Sequence, residues 1–191
     1  EYMCDPTRAD AAFFDRRLVD ADIEKAEQPW RESAGVKYWG DYQPHHMYAI
    51  GADVGGGVKQ DAHAMGGWDF DAQDPRKARF IIRYTNNTLA PDLFGEELKR
   101  VGAEFGHCML APENNNTGHA VISVLRGYPN VFTMRVESKH KLVIKETLGW
   151  NTNKKTKPKM FFEFRKAYND GLLDIRDIEL LKEMRSYTDM D

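Results

Sequence analysis

The sequence predicts an α/β domain with a mixed sheet flanked by helices. Three observations carry this. Three apolar strand-like runs lie close together at 47–54, 62–70 and 79–84. A helix, a fourth strand and another helix follow them. Further amphipathic helices close the chain. Met47 to Val54 reads as a buried strand running into Gly55-Gly56-Gly57. Ala62 to Phe70 and Arg79 to Tyr84 read as the next two strands, separated by turn chemistry from Asp71 to Arg76. Pro91 to Phe105 reads as a helix, with proline early and Leu93, Phe94, Leu98 and Val101 at helical spacing. His107 to Ala111 is a short apolar strand ending at Pro112-Glu113-Asn114, and a helix from about Thr117 to Arg126 stops at Gly127. Val131 to Val136 and Leu142 to Ile144 are candidate edge strands. Phe161 to Asn169 and Asp177 to Tyr187 read as the last helices. Residues 1–45 read as an extension containing one helix, Asp10 to Glu24, so the regular domain is expected over 46–191.

Bulk properties narrow the class of protein. With 191 residues, 41% of them hydrophobic and 30% charged, the chain is long enough for a core and too apolar for disorder. No apolar run approaches the roughly 20 residues that cross a bilayer, and no signal-peptide layout opens the chain. Cys4 and Cys108 have no metal-ligand spacing and fit a reducing compartment. Net charge is −3, but its distribution is uneven. From Arg135 to Lys166 there are ten Lys or Arg against three Glu, and from Asp170 to Asp191 seven acids against three bases. A protein holding both a divalent cation and a polyanion needs such separation, because metal-binding acids repel phosphates. A solvated basic face beside an acidic tail is the plainer explanation, and composition alone leaves both open.

Two predicted strands end in acids. Asp53 precedes three glycines, and Glu113 precedes three asparagines. Functional groups gather where strands of an α/β sheet end. If these two strands are neighbours, the carboxylates converge from sixty positions apart and suit Mg²⁺ or Mn²⁺, which prefer oxygen ligands. The structural alternative is that Asp53 caps a turn and Glu113 caps the helix near Thr117. The glycines lack the GK[ST] ending of a P-loop and the last glycine of a dinucleotide fingerprint, so nucleotide binding is not indicated.

The run Tyr48 to Ala64, with Asp53, the glycines and Asp61, resembles the first nuclease motif of the large terminase subunits of tailed bacteriophages. Ala111-Pro112-Glu113-Asn114 through Gly118 resembles their second motif. Gly149-Trp150-Asn151-Thr152 through Pro158, and Asn169-Asp170-Gly171 through Met184, resemble later stretches. Glu1 to Cys4 with Phe13-Phe14 is similar to the segment after the family's ATPase domain. The resemblance spans nearly the whole chain and implies a ribonuclease H-like nuclease that cuts concatemeric viral double-stranded DNA during packaging.

By that resemblance Asp53 and Glu113 are ligands of a two-ion Mg²⁺ or Mn²⁺ site, and Asp61 is an auxiliary catalytic acid. The third ligand is expected beyond Asp191, with Asp189 or Asp191 as possible stand-ins. Lys154, Lys155, Lys157 and Lys159 form a basic loop suited to DNA phosphates. Trp150 and Thr152 are candidates for positioning it, and Asn114 for orienting Glu113. His119 is the one histidine expected near the site, with packing as its expected role. His45 and His46 have no carboxylate partner nearby in sequence, so a solvent-exposed role is expected of them rather than catalysis. The implied partners are double-stranded DNA, an upstream ATPase domain, the small terminase subunit and the portal protein, in the cytoplasm of a bacterial host. The alternatives are a DNA-gripping or portal-docking module with little catalysis, or another ribonuclease H-like nuclease such as a junction resolvase.

Overall fold

The computed structural model describes residues 12–56, 61–115, 117–137 and 144–188. In chain order its elements are α1 (Arg16–Ile23), β1 (Arg31–Ser33), β2 (Val36–Tyr38), β3 (Met47–Asp53), β4 (His63–Phe70) and β5 (Ala78–Asn86). Then come α2 (Pro91–Glu104), β6 (Met109–Pro112), α3 (Gly118–Val124), β7 (Thr133–Glu137) and β8 (Ile144–Leu148). The chain closes with α4 (Thr156–Asn169), β9 (Leu173–Asp174) and α5 (Ile178–Ser186).

The main sheet runs β1-β2-β5-β4-β3-β6, with β9 pairing β5. Pairing is antiparallel from β1 through β3 and parallel between β3 and β6, so the fold is mixed α/β as predicted. The β3–β6 pairing determines the site's position: Ala49 faces Met109 and Ala52 faces Pro112, so both strands end at the same edge.

Two apolar layers cover the sheet. On one face β3–β6 pack on α2 and α3 through Ile50, Ile82, Phe94, Leu98, Leu110 and Val121, all at most 1% exposed. α2 forms because Pro91 opens it and Phe94, Leu98 and Val101 repeat every three to four residues, giving one apolar stripe. On the other face Phe80 packs with α1, α4 and α5 through Phe14, Val19, Tyr168 and Leu181. This second layer stops short of β3 and β6. The outward residues of β3 are Met47, Ala49, Gly51 and Asp53, and three of these four are exposed.

Several elements differ from the sequence expectations. Residues 31–38, expected within an extension, form β1 and β2 of the main sheet, because Val36 and Tyr38 bury fully against β5. α1 is shorter than the predicted 10–24 span and starts after Asp15, whose side chain accepts from Arg17 N at 2.9 Å. Of the candidate edge strands, Thr133–Glu137 and Ile144–Leu148 pair with each other as β7–β8 outside the main sheet, Val131 bridges Leu110 of β6, and Leu142 lies outside the described residues. α4 begins at Thr156, earlier than Phe161. The Asn153 side chain accepts from the Lys155 and Thr156 amides at 2.9 and 3.1 Å, and Pro158 in the first turn needs no donor of its own. The expected basic loop is therefore half helix, with Lys157 and Lys159 in its first turn.

Candidate functional site

Asp53 and Glu113 meet at the edge where β3 and β6 end. The Glu113 amide donates to Ala52 O at 2.7 Å, extending the parallel ladder by one residue and bringing the two acids together. A second strand-like pairing holds Glu113 from the other side. Trp150 N donates to Pro112 O at 2.8 Å, and Asn114 N donates to Trp150 O at 2.7 Å. The Asn114 side chain also donates to Leu148 O at 2.8 Å, tying the turn after β6 to the end of β8.

Two glycines permit this crowding. At Gly149, φ is +80° and an added Cβ would lie 2.6 Å from Pro112 O. At Gly118 an added Cβ would lie 2.0 Å from Glu113 O, so α3 starts directly beneath the acid's own carbonyl. Asn115 completes the turn by accepting from Gly118 N at 2.9 Å, and Thr117 Oγ1 reaches Val54 O at 2.7 Å.

The electrostatics of the pair are unusual. Partial burial pushes the Glu113 carboxyl above the ordinary glutamate range, and the adjacent Asp53 carboxylate pushes it further up. The Thr152 hydroxyl, donating to Glu113, and the nearby Lys157 ammonium pull the other way. Two acids held together, with one lysine to offset them, form an arrangement that a bound cation would relieve.

A cleft of about 650 Å³ opens beside the pair. Its lining includes the small residues Gly51, Ala52 and Ala111 of β3 and β6 and the large apolar residues Phe132, Trp150, Met160 and Phe161. Thr152 and Lys157 also line it, and Lys157 Nζ lies 5.8 Å from the centre of the Phe161 ring.

The other expected site residues are more dispersed. Asp61 is exposed before β4, with its backbone carbonyl packed against Gly55, and it is not among the residues lining the cleft. Lys154, Lys155 and Lys159 are exposed around the cleft's Lys157 and do not line it. His119 is exposed at the start of α3, outside the cleft. His45 and His46 are exposed as expected, and His46 has a carboxylate partner distant in sequence. Its Nδ1 lies 2.9 Å from Asp69, because Met47 on β3 pairs with Phe70 on β4 and this brings the two side chains together. Asp189 and Asp191 lie outside the described residues, and no cluster of three or more potential metal ligands occurs among those described. Phe132, Met160 and Phe161 are site residues that sequence reasoning does not find, because a lone aromatic after a turn carries no periodic signal.

A mixed sheet in this strand order with helices on both faces is the ribonuclease H-like fold. Within it, the structure is similar to terminase nucleases. The large terminase nuclease from thermophilic phage G20c, solved with bound magnesium, aligns with a TM-score of 0.68 at 17% identity, over 94% of this chain and 82% of that one. The large terminase nuclease domain of a Thermus phage aligns at 0.58 and 19% identity, over 87% and 76%. The human cytomegalovirus terminase nuclease domain, soaked with manganese, aligns at 0.57 and 9% identity, over 93% and 88%. The chain thus has the fold of terminase large-subunit nuclease domains. The sequence matches no protein-family model and no curated protein. Among the described residues no helix is long and apolar enough to cross a membrane.

Proposed function

We propose that this chain is a metal-dependent endonuclease domain that cuts double-stranded viral DNA during genome packaging, with Asp53 and Glu113 as its metal-binding carboxylates. The observation that carries the proposal is the pair itself. Two carboxylates are held together at a cleft by backbone pairing, offset among the described residues by Thr152 and Lys157. Natural proteins rarely hold like charges together except at functional sites. The fold shared with nucleases solved with magnesium or manganese supports the same reading.

The donor set fits Mg²⁺ or Mn²⁺, which bind through one or two carboxylates and complete their shell with water and substrate phosphate. Bound there, such an ion supplies an activated water and stabilises the leaving oxygen of the phosphodiester. The chain's own residues do the rest. Thr152 orients Glu113, Asn114 fixes the turn that presents it, and Lys157 stands where a phosphate must approach. Lys154, Lys155 and Lys159, exposed neighbours of Lys157 in the chain, are proposed to hold the DNA backbone without reading sequence. Basic residues at a helix N-terminus oppose the helix dipole, so their presence there calls for an anionic partner. Asp61 is proposed as an auxiliary acid beside the Asp53 strand end. The ATPase domain, small terminase subunit and portal protein, and work in the host cytoplasm, belong to the same proposal.

The test is plasmid nicking with Mn²⁺ by the chain and by Asp53→Asn. Cutting should fall at least about 100-fold in the variant, exceeding the loss usual for residues that only orient a ligand. Binding of DNA with no cutting by either protein would point instead to a DNA-gripping module.

A further inference from the structure

The apolar side of the cleft has no role in holding a cation or a phosphate, both of which are hydrated. We propose that this side takes an unpaired nucleobase next to the scissile phosphate, so that the site acts on DNA with a locally unstacked base. The inference rests on the nuclease reading above and narrows its substrate.

Three features carry it. The floor is low: Gly51 and Ala111 face each other across the β3–β6 pair, and a Cβ added at Gly51 would meet nothing within 4 Å. Glycine costs a strand stability, and here neither a turn nor a close neighbour requires it, so what it provides is open space. The lining is apolar on one side, with Phe132, Trp150, Met160 and Phe161, and the Phe132 and Trp150 rings lie 6.0 Å apart, tilted by 42°. Met160 remains 43% exposed there, an uncovered apolar group beside two acids. The cleft carries a base, Lys157, whose chain neighbours Lys154, Lys155 and Lys159 are exposed lysines, so the occupant fits part of a polyanion. An apolar slot with a basic rim suits a nucleotide, whose phosphate meets the lysines while its base stacks on aromatic rings. Within a perfect duplex every base is already stacked and paired, and the slot could be filled only by extruding one.

The experiment uses two short duplexes, one perfectly matched and one with 2-aminopurine in a single mismatched pair. Ca²⁺ replaces the catalytic ion so that binding is read without cutting. The wild-type chain should bind the mismatched duplex at least about fivefold more tightly, in line with one base–aromatic stack. It should also quench the 2-aminopurine fluorescence. Gly51→Val, a substitution compatible with a strand, should keep the wild-type melting temperature and lose both preference and quenching. Met160→Ala, altering an exposed side chain, should lose part of each and provides the same test if the valine variant fails to fold. Binding of both duplexes equally without quenching overturns the base slot and leaves the nuclease reading standing. Retention of preference and quenching in both variants also overturns it. Failure to bind either duplex sinks both.

Discussion

Two acidic clusters in this molecule show opposite electrostatic logic. At the start of α5, Asp177 is almost completely buried, with its side chain 2% exposed, and it faces Arg83 at 3.3 Å. Arg83 also pairs with Glu179 and Glu183, and Lys37 reaches Glu179 at 3.4 Å. Asp177 additionally caps α5 by accepting from Glu179 N at 3.0 Å. Each charge there meets an opposite one, as burial requires. At the ends of β3 and β6 the arrangement is reversed: Glu113 meets another carboxylate, and backbone pairing keeps the two together. The first cluster balances its charges within the fold, whereas the second sets one acid against another. If Asp53 and Glu113 are metal ligands as proposed, the balancing charge comes from a bound cation.

Breaking the complete cluster should cost the most. Asp177→Ala leaves Arg83 facing only more exposed acids and removes the α5 cap, so unfolding free energy should drop by about 3–5 kcal/mol. Urea titration followed by circular dichroism would measure it. A loss below about 1 kcal/mol would mean that Arg83 is satisfied without Asp177. Next in size is the basic rim. Among the described residues Lys154, Lys155, Lys157 and Lys159 have no ion pair, unlike Lys37 in the paired cluster. Changing Lys154, Lys155 and Lys157 together to alanine should weaken DNA binding about tenfold at moderate salt. The log–log salt slope should flatten by about 0.9 for each phosphate that is no longer neutralised. An unchanged slope would show that these lysines do not touch DNA.

The sharpest contrast comes from neutralising one acid of the incomplete cluster. Glu113→Gln removes a like charge, so the metal-free protein should be as stable as the wild type or more so. The gain should not exceed about 1 kcal/mol, because the pair is partly screened by solvent. The cost emerges only with metal. Mn²⁺ at a hundredfold excess over its dissociation constant should stabilise the wild type by about 2.7 kcal/mol and the variant far less. Thermal melts with and without Mn²⁺ would read both effects. A variant that is strongly destabilised without metal would show that Glu113 is structural, as a helix cap would be.

The two sides of the candidate site differ in how legible they are from sequence. Asp53 and Glu113 are legible because each ends a strongly apolar strand, and strand ends are read from local pattern alone. Their convergence depends on β3 and β6 being neighbours, which β4 and β5 intervene to hide. The aromatic wall is illegible, since Phe132 follows a turn and Phe161 reads as an ordinary core residue of α4. Trp150 and Thr152 stand out only through a family resemblance. That Thr152 donates to Glu113 follows from a bridge between residues 113 and 150 that no local rule anticipates. Residues 31–38 read as an extension because two three-residue strands are too short to show alternation. The Arg83–Asp177 pairing likewise joins positions 94 apart.

The smallest effect concerns the rim of the paired cluster and depends on its sign. Arg83, by its charge first and its hydrogen bond second, holds the Glu179 carboxyl below the usual 4.5, and Lys37 adds to this. A carboxyl with a depressed value in the folded state contributes stability above its unfolded value, and that contribution is lost as pH falls through the folded one. Glu179 therefore helps at neutral pH and ceases to help only below about pH 4.5. Its side chain is half exposed, so solvent screens most of the gain. Glu179→Gln should lower stability slightly at pH 7, and the two proteins should converge as the solution is acidified. Paired urea titrations across that range would show it. No gap at pH 7 would mean that Arg83 relies on Asp177 alone, making Glu179 a bystander, and a gap that persists unchanged to pH 3 would mean that Glu179 contributes through something other than its charge.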